Sequence, residues 1–338
     1  MGDLPSSAVR GVRQSGRWSA RASVLQRQGA LLALLLLAIF GVVRYGPNFY
    51  SSYNLFELLR NNSYFGLIAL GMTFVIMTGG IDLSVGSVVA LTAVVAARAS
   101  SEGLVVATSA ALLVGLLVGL LNGFLIARFG IQPFIVTLAT LLAVRGLALI
   151  IAGNATVPVN FDSGFVNIGQ RSLGLVPVPV VLVGLTYLLG SFVLNFTRFG
   201  RNVLAYGGSE EAARLAGLPV NRIVFAVYAM SGVLAGLAGT ILAALAYSGT
   251  PTGALGWELS AIAAVVVGGT LLTGGLGSVG TTLVGVVLIG LVFNILNFER
   301  GRGVFDLNVY WENVIRGAFL LVVVILQSRL SKGIVQKS

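Results

Sequence analysis

The chain has 338 residues, of which 57% are hydrophobic and only 9% are charged, and its formal net charge is +10. Soluble domains carry about 25% charged residues because their surface faces water, so composition excludes an ordinary soluble fold. The basic residues lie in short stretches between apolar runs, which argues against a nucleic-acid partner, since that would need one continuous basic face. Cysteine and histidine are both absent, which excludes disulfides and thiolate or imidazole metal sites.

The N-terminal region resembles a signal peptide, because five arginines between residues 10 and 27 precede the apolar run 29–43. No small-residue cleavage site follows, however, and Arg44 and Tyr45 end the run. We therefore interpret this run as an uncleaved first membrane span. Residues 1–27 are expected to form a basic, disordered arm on the cytoplasmic side.

Apolar runs of roughly 17–25 residues can cross the hydrocarbon core of a bilayer. Ten runs reach or approach that length: 29–45, 62–80, 83–97, 104–127, 131–152, 176–197, 223–247, 258–274, 278–297 and 311–328. The sequence therefore predicts an all-α polytopic membrane protein, with one transmembrane domain over 28–330 and a cytoplasmic tail over 331–338.

The lysines and arginines predict the orientation of these spans. If the N-terminus is inside, thirteen of the 21 basic residues fall in inner loops and tails, six in outer loops, and Arg145 and Arg316 within spans. The positive-inside rule then favours both termini in the cytoplasm. Loop 153–175 would be external and loop 198–222 cytoplasmic, in a bacterial inner (plasma) membrane.

Two glycine-rich strings interrupt the spans, one in each half of the chain. They are TGGIDLSVGS at 78–87 and TGGLGSVGT at 273–281. Each lies beside an apolar segment that is short for a full crossing, 83–97 and 258–274. Paired, glycine-interrupted short segments in the two halves indicate a translocation site, so we expect interrupted helices in each half.

Ionisable residues inside spans are informative, because each costs about 2.5–3.5 kcal/mol to insert at a helix centre. Asp82 could cap the helix expected to begin at Leu83, or it could accept hydrogen bonds from substrate hydroxyls. Arg145 is interpreted as a structural partner of an acid or carbonyl, with a pore residue as the alternative. Glu258 is interpreted as an interfacial anchor.

Glycines recur at every fourth position in two spans. The set comprises Gly115, Gly119, Gly123, Gly232 and Gly236. Small residues at this spacing let helix backbones approach closely in membranes. We interpret them as packing residues that carry no information about a substrate.

The middle of loop 198–222, SEEAARLAG at 209–217, is typical of a short amphipathic helix. Ser209 is a natural N-cap, two glutamates suit the positive helix start, and Gly217 suits the stop. Arg214 follows Glu210 by four residues, a spacing that favours an ion pair.

The positions of the lysines exclude ATP binding at a Walker-type phosphate loop in this chain. A phosphate-binding loop needs G-x-x-x-x-G-K-[ST], and the only lysines are Lys332, followed by Gly333, and Lys337, preceded by Gln336. No nucleophile motif or metal cluster is visible either. The chain is therefore predicted to be no enzyme, to hold no cofactor or metal, and to need either an ion gradient or a partner that supplies energy.

Three motifs, in order, resemble those of the ABC sugar-importer permeases of the ribose/xylose/arabinose type. They are GMTFVIMTGGIDLSVGSVVAL at 71–91, FGRNVLAYGGSEEAARLAGL at 199–218 and IAAVVVGGTLLTGGLGSVGTTLVGVVL at 262–288. The resemblance covers about residues 50–328. Segments 142–160 and 292–301 are most similar to permeases of the galactofuranose importer. Ser209 stands where relatives usually have Asn, and both residues cap helices.

The resemblance implies a subunit with about ten spans that pairs with a second permease, as a homo- or heterodimer. ATP-binding subunits would dock from the cytoplasm and bind the ATP, and a periplasmic or external sugar-binding protein would deliver a monosaccharide. The residues implied to line or shape the pathway are Gly79, Gly80, Asp82, Ser84 and Gly86. The residues implied to form the coupling segment are Gly207, Gly208, Glu210, Glu211, Ala212, Ala213 and Gly217.

Two alternatives stay open from the sequence. A gradient-driven carrier acting alone would need buried titratable groups, of which the chain has few. A permease of the same superfamily for branched-chain amino acids or nucleosides would share the spans, but such relatives typically lack the GGIDLSVG string. The sequence does not identify the sugar.

Overall fold

The computed structural model describes residues 29–300 and seven separate helical positions between 311 and 325. Its helices are α1 (Gly29–Asn48, ending in a 3-10 turn), α2 (Ser52–Asn61), α3 (Ser63–Met77), α4 (Val85–Ala99), α5 (Leu104–Phe129), α6 (Pro133–Ala152), α7 (Asn167–Gln170), α8 (Val178–Phe196), α9 (Arg198–Gly208), α10 (Glu210–Leu215), α11 (Val220–Ala246), α12 (Trp257–Val267) and α13 (Val279–Glu299). The predicted arm 1–27, the tail 331–338 and most of the tenth span, 311–328, lie outside the described residues.

Between residues 29 and 299, each of the nine apolar runs corresponds to a helix. Seven helices are long and apolar enough to cross a membrane, counting α4 together with the 3-10 turn that follows it, while α3 and α12 are shorter. With 15 and 11 residues, these two extend about 22 and 16 Å, less than the roughly 30 Å of a hydrocarbon core. The polytopic helical fold is thus confirmed, whereas the full count of ten spans and the orientation remain predictions.

The glycine stripe packs α5 against α11, as the sequence predicts. A Cβ built on Gly115 would collide with the carbonyl of Gly232, and one on Gly119 with the carbonyl of Tyr228. Gly123 lies against the backbone of Phe225 in the same way, at 2.9 Å from its Cα. Only glycine permits this approach, so the two longest helices form one rigid unit.

The centre of the bundle is α3, which is apolar on all sides and buried at every residue except Tyr64. Helices that are hydrophobic all round are enclosed by other helices. α3 packs against α11, α12, α13 and α8. Its two ends therefore lie at opposite ends of the folded core.

Short pieces of structure that the sequence did not predict occupy the loops. β1 (Val157–Pro158) pairs antiparallel with β4 (Ser248–Gly249), and β2 (Ser172–Leu173) pairs with β3 (Val176–Pro177). α2, α7 and α9 are also additional to the predicted spans. Loop 153–175 is thus partly ordered by pairing with the segment that follows α11.

Candidate functional site

The first glycine string forms a break between α3 and α4. α3 ends at Met77, and Gly79 adopts a positive φ of 76° that glycine tolerates. A Cβ on Gly80 would lie 2.6 Å from the Tyr228 hydroxyl. Of the residues implied to line a pathway, Gly79 is exposed, whereas Gly80, Asp82, Ser84 and Gly86 are buried within this single chain.

Asp82 is 2% exposed, and its two carboxylate oxygens accept three hydrogen bonds. Oδ1 accepts from the main-chain N–H of Ser84 at 3.0 Å and from its hydroxyl at 2.6 Å. Oδ2 accepts from the Ser231 hydroxyl at 2.9 Å. The expected helix start at Leu83 is wrong, because the helix begins at Val85 with Ser84 as its N-cap residue. Asp82 orders the turn that precedes it.

The Asp82 contacts continue into a buried polar network. The Asn122 amide donates to the Ser84 hydroxyl at 3.0 Å, and the Thr140 hydroxyl donates to Asn122 Oδ1 at 2.6 Å. The five side chains come from the break, α5, α6 and α11, and each is at most 7% exposed. The sequence analysis missed Asn122, Thr140 and Ser231, although polar residues inside apolar spans were a signal that could have identified them.

The part of the break around Asp82 lies inside the core rather than at its end. Ser231, which binds Asp82, has its Cα 3.1 Å from the position a Cβ would take on Gly71, and Gly71 is near the middle of α3. Asp82 is therefore level with the middle of α3. The chain turns back into the core after Met77 before α4 begins.

Gly86, in the first turn of α4, lets the loop before α12 come close. A Cβ there would lie 2.7 Å from the carbonyl oxygen of Ala254 and would collide with the Glu258 carboxylate. The same loop is held by Arg145, whose Nη1 donates to the carbonyl oxygens of Pro251 and Gly253 at 2.7 Å each. The interpretation of Arg145 as a partner of carbonyl groups is confirmed.

The second glycine string meets the first at the end of α3. The Gly275 N–H donates to the Met77 carbonyl oxygen at 3.0 Å. A Cβ on Gly274 would lie 2.8 Å from the amide nitrogen of Gly79 and 2.8 Å from the carbonyl oxygen of Gly207. The two breaks predicted separately in the two halves are therefore in direct contact.

The end of α9 packs against both glycine strings at this contact. A Cβ on Gly207 would collide with the Met77 carbonyl oxygen and lie 2.6 Å from the Gly275 nitrogen. A Cβ added to Gly208, by contrast, would have no atom within 4 Å. Three motifs that are far apart in sequence thus meet at one point, with backbone against backbone. We call this point, formed by Met77, Gly79, Gly207, Gly274 and Gly275, the glycine junction.

The predicted short helix follows the junction as α10. The Ser209 hydroxyl accepts a hydrogen bond from the Ala212 N–H at 3.2 Å, and Gly217 ends the turn with a φ of 74°. The Glu210–Arg214 ion pair is present at 2.8 Å. Both side chains are exposed, so the pair adds at most a few tenths of a kcal/mol, about 0.3–0.5. The cap, the stop and the pair are all confirmed.

One face of α10 anchors it and the rest projects outward. Ala213 is 3% exposed, whereas Glu210, Glu211 and Ala212 are exposed. Leu215 is 83% exposed, a large apolar side chain at the tip of the segment that the sequence analysis did not select.

A tyrosine links α9 with α10. The Tyr206 hydroxyl donates to a Glu210 carboxylate oxygen at 3.4 Å. Burial, and then the Glu210 charge, raise the pKa of Tyr206 to about 12. The phenol therefore keeps its proton at neutral pH and can act as the donor. This contact adds to the connection between α10 and the glycine junction.

Comparison with known proteins identifies the family. Residues 54–324 match the family described as "Branched-chain amino acid transport system / permease component". The chain belongs to this permease family. The matched range includes both breaks, the glycine junction and α10.

Individual members of the permease family resemble the chain over nearly its whole length. It is 39% identical to the ribose import permease protein RbsC of Escherichia coli strain K12 over 320 residues, covering 93% of this chain and 97% of that protein. It is 39% identical to RbsC of Bacillus subtilis strain 168 over 311 residues, 91% and 94% of the two chains. It is 36% identical to the L-arabinose ABC transporter permease protein AraH of Azospirillum brasilense over 326 residues, 95% and 92%. The family resemblance inferred from the motifs is confirmed.

Proposed function

We propose that this chain is the membrane-spanning permease subunit of an ATP-driven ABC importer for a monosaccharide. Ribose and arabinose permeases at 36–39% identity over more than nine-tenths of the chain support a sugar as the cargo. The chain is a transport component, and separate ATP-binding subunits hydrolyse the ATP. A periplasmic binding protein delivers the sugar, and a second permease, identical or paralogous, completes the pathway in the inner membrane. The galactofuranose-like segments add galactofuranose to the candidate sugars.

One contact carries the mechanism, namely Gly207 packed against Met77 and Gly275. α10 projects from the bundle on a segment whose preceding residues touch both breaks. Any displacement of α10 by a docked ATPase therefore acts on both interrupted helices at once. Because interfaces packed backbone to backbone cannot deform continuously, the displacement shifts α3 and the segment after α12 together.

In this mechanism the pathway residues have different tasks. Gly79 and Gly80 allow the turn at the first break, and Gly86 allows the outer loop to approach α4. Asp82 and Ser84 position the start of α4, since their polar groups bind one another and α11. The pathway itself runs beside these residues, with the second permease on its other side.

The test is sugar uptake into proteoliposomes containing the permease with its ATP-binding subunits and the loaded binding protein. Uptake should require ATP and both partner proteins. Ala213→Glu, which places a charge at the buried anchor of α10, should uncouple the two activities, so that ATP is hydrolysed without sugar uptake. Ala155→Glu, at an exposed alanine on the loop after α6, is the control. Uptake by the permease alone without ATP would instead support a gradient-driven carrier.

A second candidate cargo follows from the description of the family, which names branched-chain amino acids. The same proteoliposomes distinguish the two classes. Uptake of labelled leucine that is insensitive to ribose, arabinose and galactofuranose would overturn the sugar proposal, and the reverse pattern would support it.

A further inference from the structure

A cavity of about 580 Å³, lined by both polar and apolar side chains, lies at the end of the core opposite the glycine junction. α2, the start of α3, the start of α12 and the last part of α13 line it. Tyr64, at its wall, is thirteen residues before Met77 on α3, so the cavity and the junction are about 20 Å apart along that helix. We call it the asparagine cleft. Its volume is within the range of about 300–1,000 Å³ typical of small-molecule sites.

Side-chain amides give the cleft its chemistry. Five asparagines line it: Asn54, Asn61, Asn62, Asn294 and Asn297. An amide carries two N–H donors and an acceptor oxygen, so it can bind a hydroxyl group in either direction. Five amides around one cavity can therefore bind a ligand that is rich in hydroxyl groups.

Some of these amides are fixed and one is available. Asn54 and Asn294 donate to each other at 3.3 and 2.9 Å, which joins α2 to α13 and holds both side chains in place. Asn297 is exposed, and its side-chain amide makes no hydrogen bond with the described residues. A ligand in the cleft would thus meet a preorganised amide pair and a free amide one turn away on α13.

An aromatic pair forms another part of the wall. The rings of Tyr64 and Trp257 are stacked, 4.7 Å apart and inclined by 8°. Both side chains are half-buried and line the cleft. Aromatic rings offer flat apolar surface with a polar tip, which suits the C–H groups and hydroxyls of a sugar ring.

The charge of the cleft favours a neutral ligand. Glu57 is the one carboxylate among the lining residues, and its Oε1 pairs with the Arg60 guanidinium at 2.8 Å. Among the described lining residues there is therefore neither a free cation for a carboxylate or phosphate nor an unpaired acid for an amine. An amino acid, which carries both charges, would find no unpaired charge among them.

We infer that the asparagine cleft is a saccharide-binding site, where a neutral monosaccharide is held by the amides and the Tyr64–Trp257 pair. The inference rests on the proposed function and assigns the contact residues for its cargo. It also connects the sugar site with the segment proposed to bind the ATPase, because α3 and α12 both begin at the cleft and lead to the glycine junction. A sugar in the cleft and an ATPase on α10 would act on the same two helices from opposite ends.

The first experiment measures sugar moved per ATP hydrolysed in the reconstituted full transporter. Asn297→Ala should lower this ratio about fivefold, since one neutral hydrogen bond is worth about 1 kcal/mol. Trp257→Leu should lower it more, and Trp257→Phe, which keeps a ring, should lower it less. Asn195→Ala is the matched control, because the side chain of that exposed asparagine on α8 bonds, among the described residues, to Ser191 of its own helix.

Three results have distinct meanings. If the wild-type transporter moves no sugar, the proposed function fails. If it moves sugar and the Asn297 and Trp257 variants match the Asn195 control, the cleft assignment alone is overturned. If the Asn297 variant loses assembly with its partner subunits instead of sugar movement, the cleft is a protein interface and the assignment is again overturned.

A second measurement locates the sugar directly. A monosaccharide bearing a photoreactive diazirine is added to the assembled transporter, and labelled peptides are identified. Labelling of α2 or α13 that excess sugar prevents and excess leucine does not would support the assignment. Labelling confined to other helices would overturn it.

Discussion

The main-chain N–H of Gly275 donates a hydrogen bond to the carbonyl oxygen of Met77 at 3.0 Å. One residue ends α3 and the other belongs to the string that follows α12, so this bond joins the two interrupted helices at one end. Gly207 packs against both partners of the bond. The relationship explains why glycine is required in three separate motifs.

Gly207→Ala should destabilise the permease and abolish most uptake, whereas Gly208→Ala should leave its stability unchanged. The new Cβ at residue 207 would collide with the Met77 carbonyl, and overpacking of this kind costs about 1–3 kcal/mol. The neighbouring Gly208 has nothing within 4 Å of an added Cβ. Thermal unfolding midpoints in detergent and ATP-driven uptake compare the two. Equal midpoints and equal uptake for both variants would show that the junction is not tightly packed.

Gly119→Ala should lower the thermal unfolding midpoint because it forces α5 away from α11. The added Cβ would collide with the Tyr228 carbonyl, and the expected loss in free energy of unfolding is about 1–3 kcal/mol. Gly184→Ala on α8 is the control, since open space surrounds it and alanine favours helices. An unfolding midpoint for Gly119→Ala at or above that of the control would contradict the close packing of α5 against α11.

Asp82→Ala should destabilise the permease because three hydrogen-bond donors lose their buried acceptor, at about 1–3 kcal/mol. Asp82→Asn should cost less, because it keeps Oδ1 and the Ser231 hydroxyl can accept from the new amide. Asp162→Ala, in the exposed loop, is the control. Unfolding midpoints and uptake are both measured. Uptake lost in both Asp82 variants at unchanged midpoints would mean that the carboxylate acts on the cargo.

Leu215→Glu should weaken binding of the ATP-binding subunits at least tenfold, because it replaces an apolar side chain that is 83% exposed at the tip of the proposed docking segment with a charge. Leu175→Glu is the matched control, with 78% exposure on the loop before α8. Co-purification and titration of the subunits measure the affinity. Unchanged affinity for the Leu215 variant would move the docking surface away from α10.

Single introduced cysteines test the orientation of the permease in the membrane. The chain has no cysteine of its own, so no native cysteine of the permease would be labelled. Glu211→Cys should be unreactive toward a membrane-impermeant maleimide in intact spheroplasts and reactive after lysis. Asp162→Cys should react in both. Reaction of residue 211 before lysis would reverse the topology and remove the ATPase docking proposal with it.

Sequence periodicity located the membrane helices well because lipid makes long apolar runs obligatory. The caps of α10 were also readable, since Ser209 and Gly217 act within a few residues of their own positions. Contacts across the fold were not readable. The Asp82 network needs side chains from three other helices, and the Asn54–Asn294 pair joins residues 240 positions apart. α9 and α2 were missed because they are polar on one face and short.

Arg145 holds the carbonyl oxygens of Pro251 and Gly253, just before α12 begins. This fixes one end of a stiff rod about 16 Å long and leaves its far end at the second break. The fixed end can serve as a pivot, so a tilt of about 10° would swing the far end by about 3 Å. A half-buried arginine that binds two carbonyl groups would in this way determine about which end α12 tilts and which end moves.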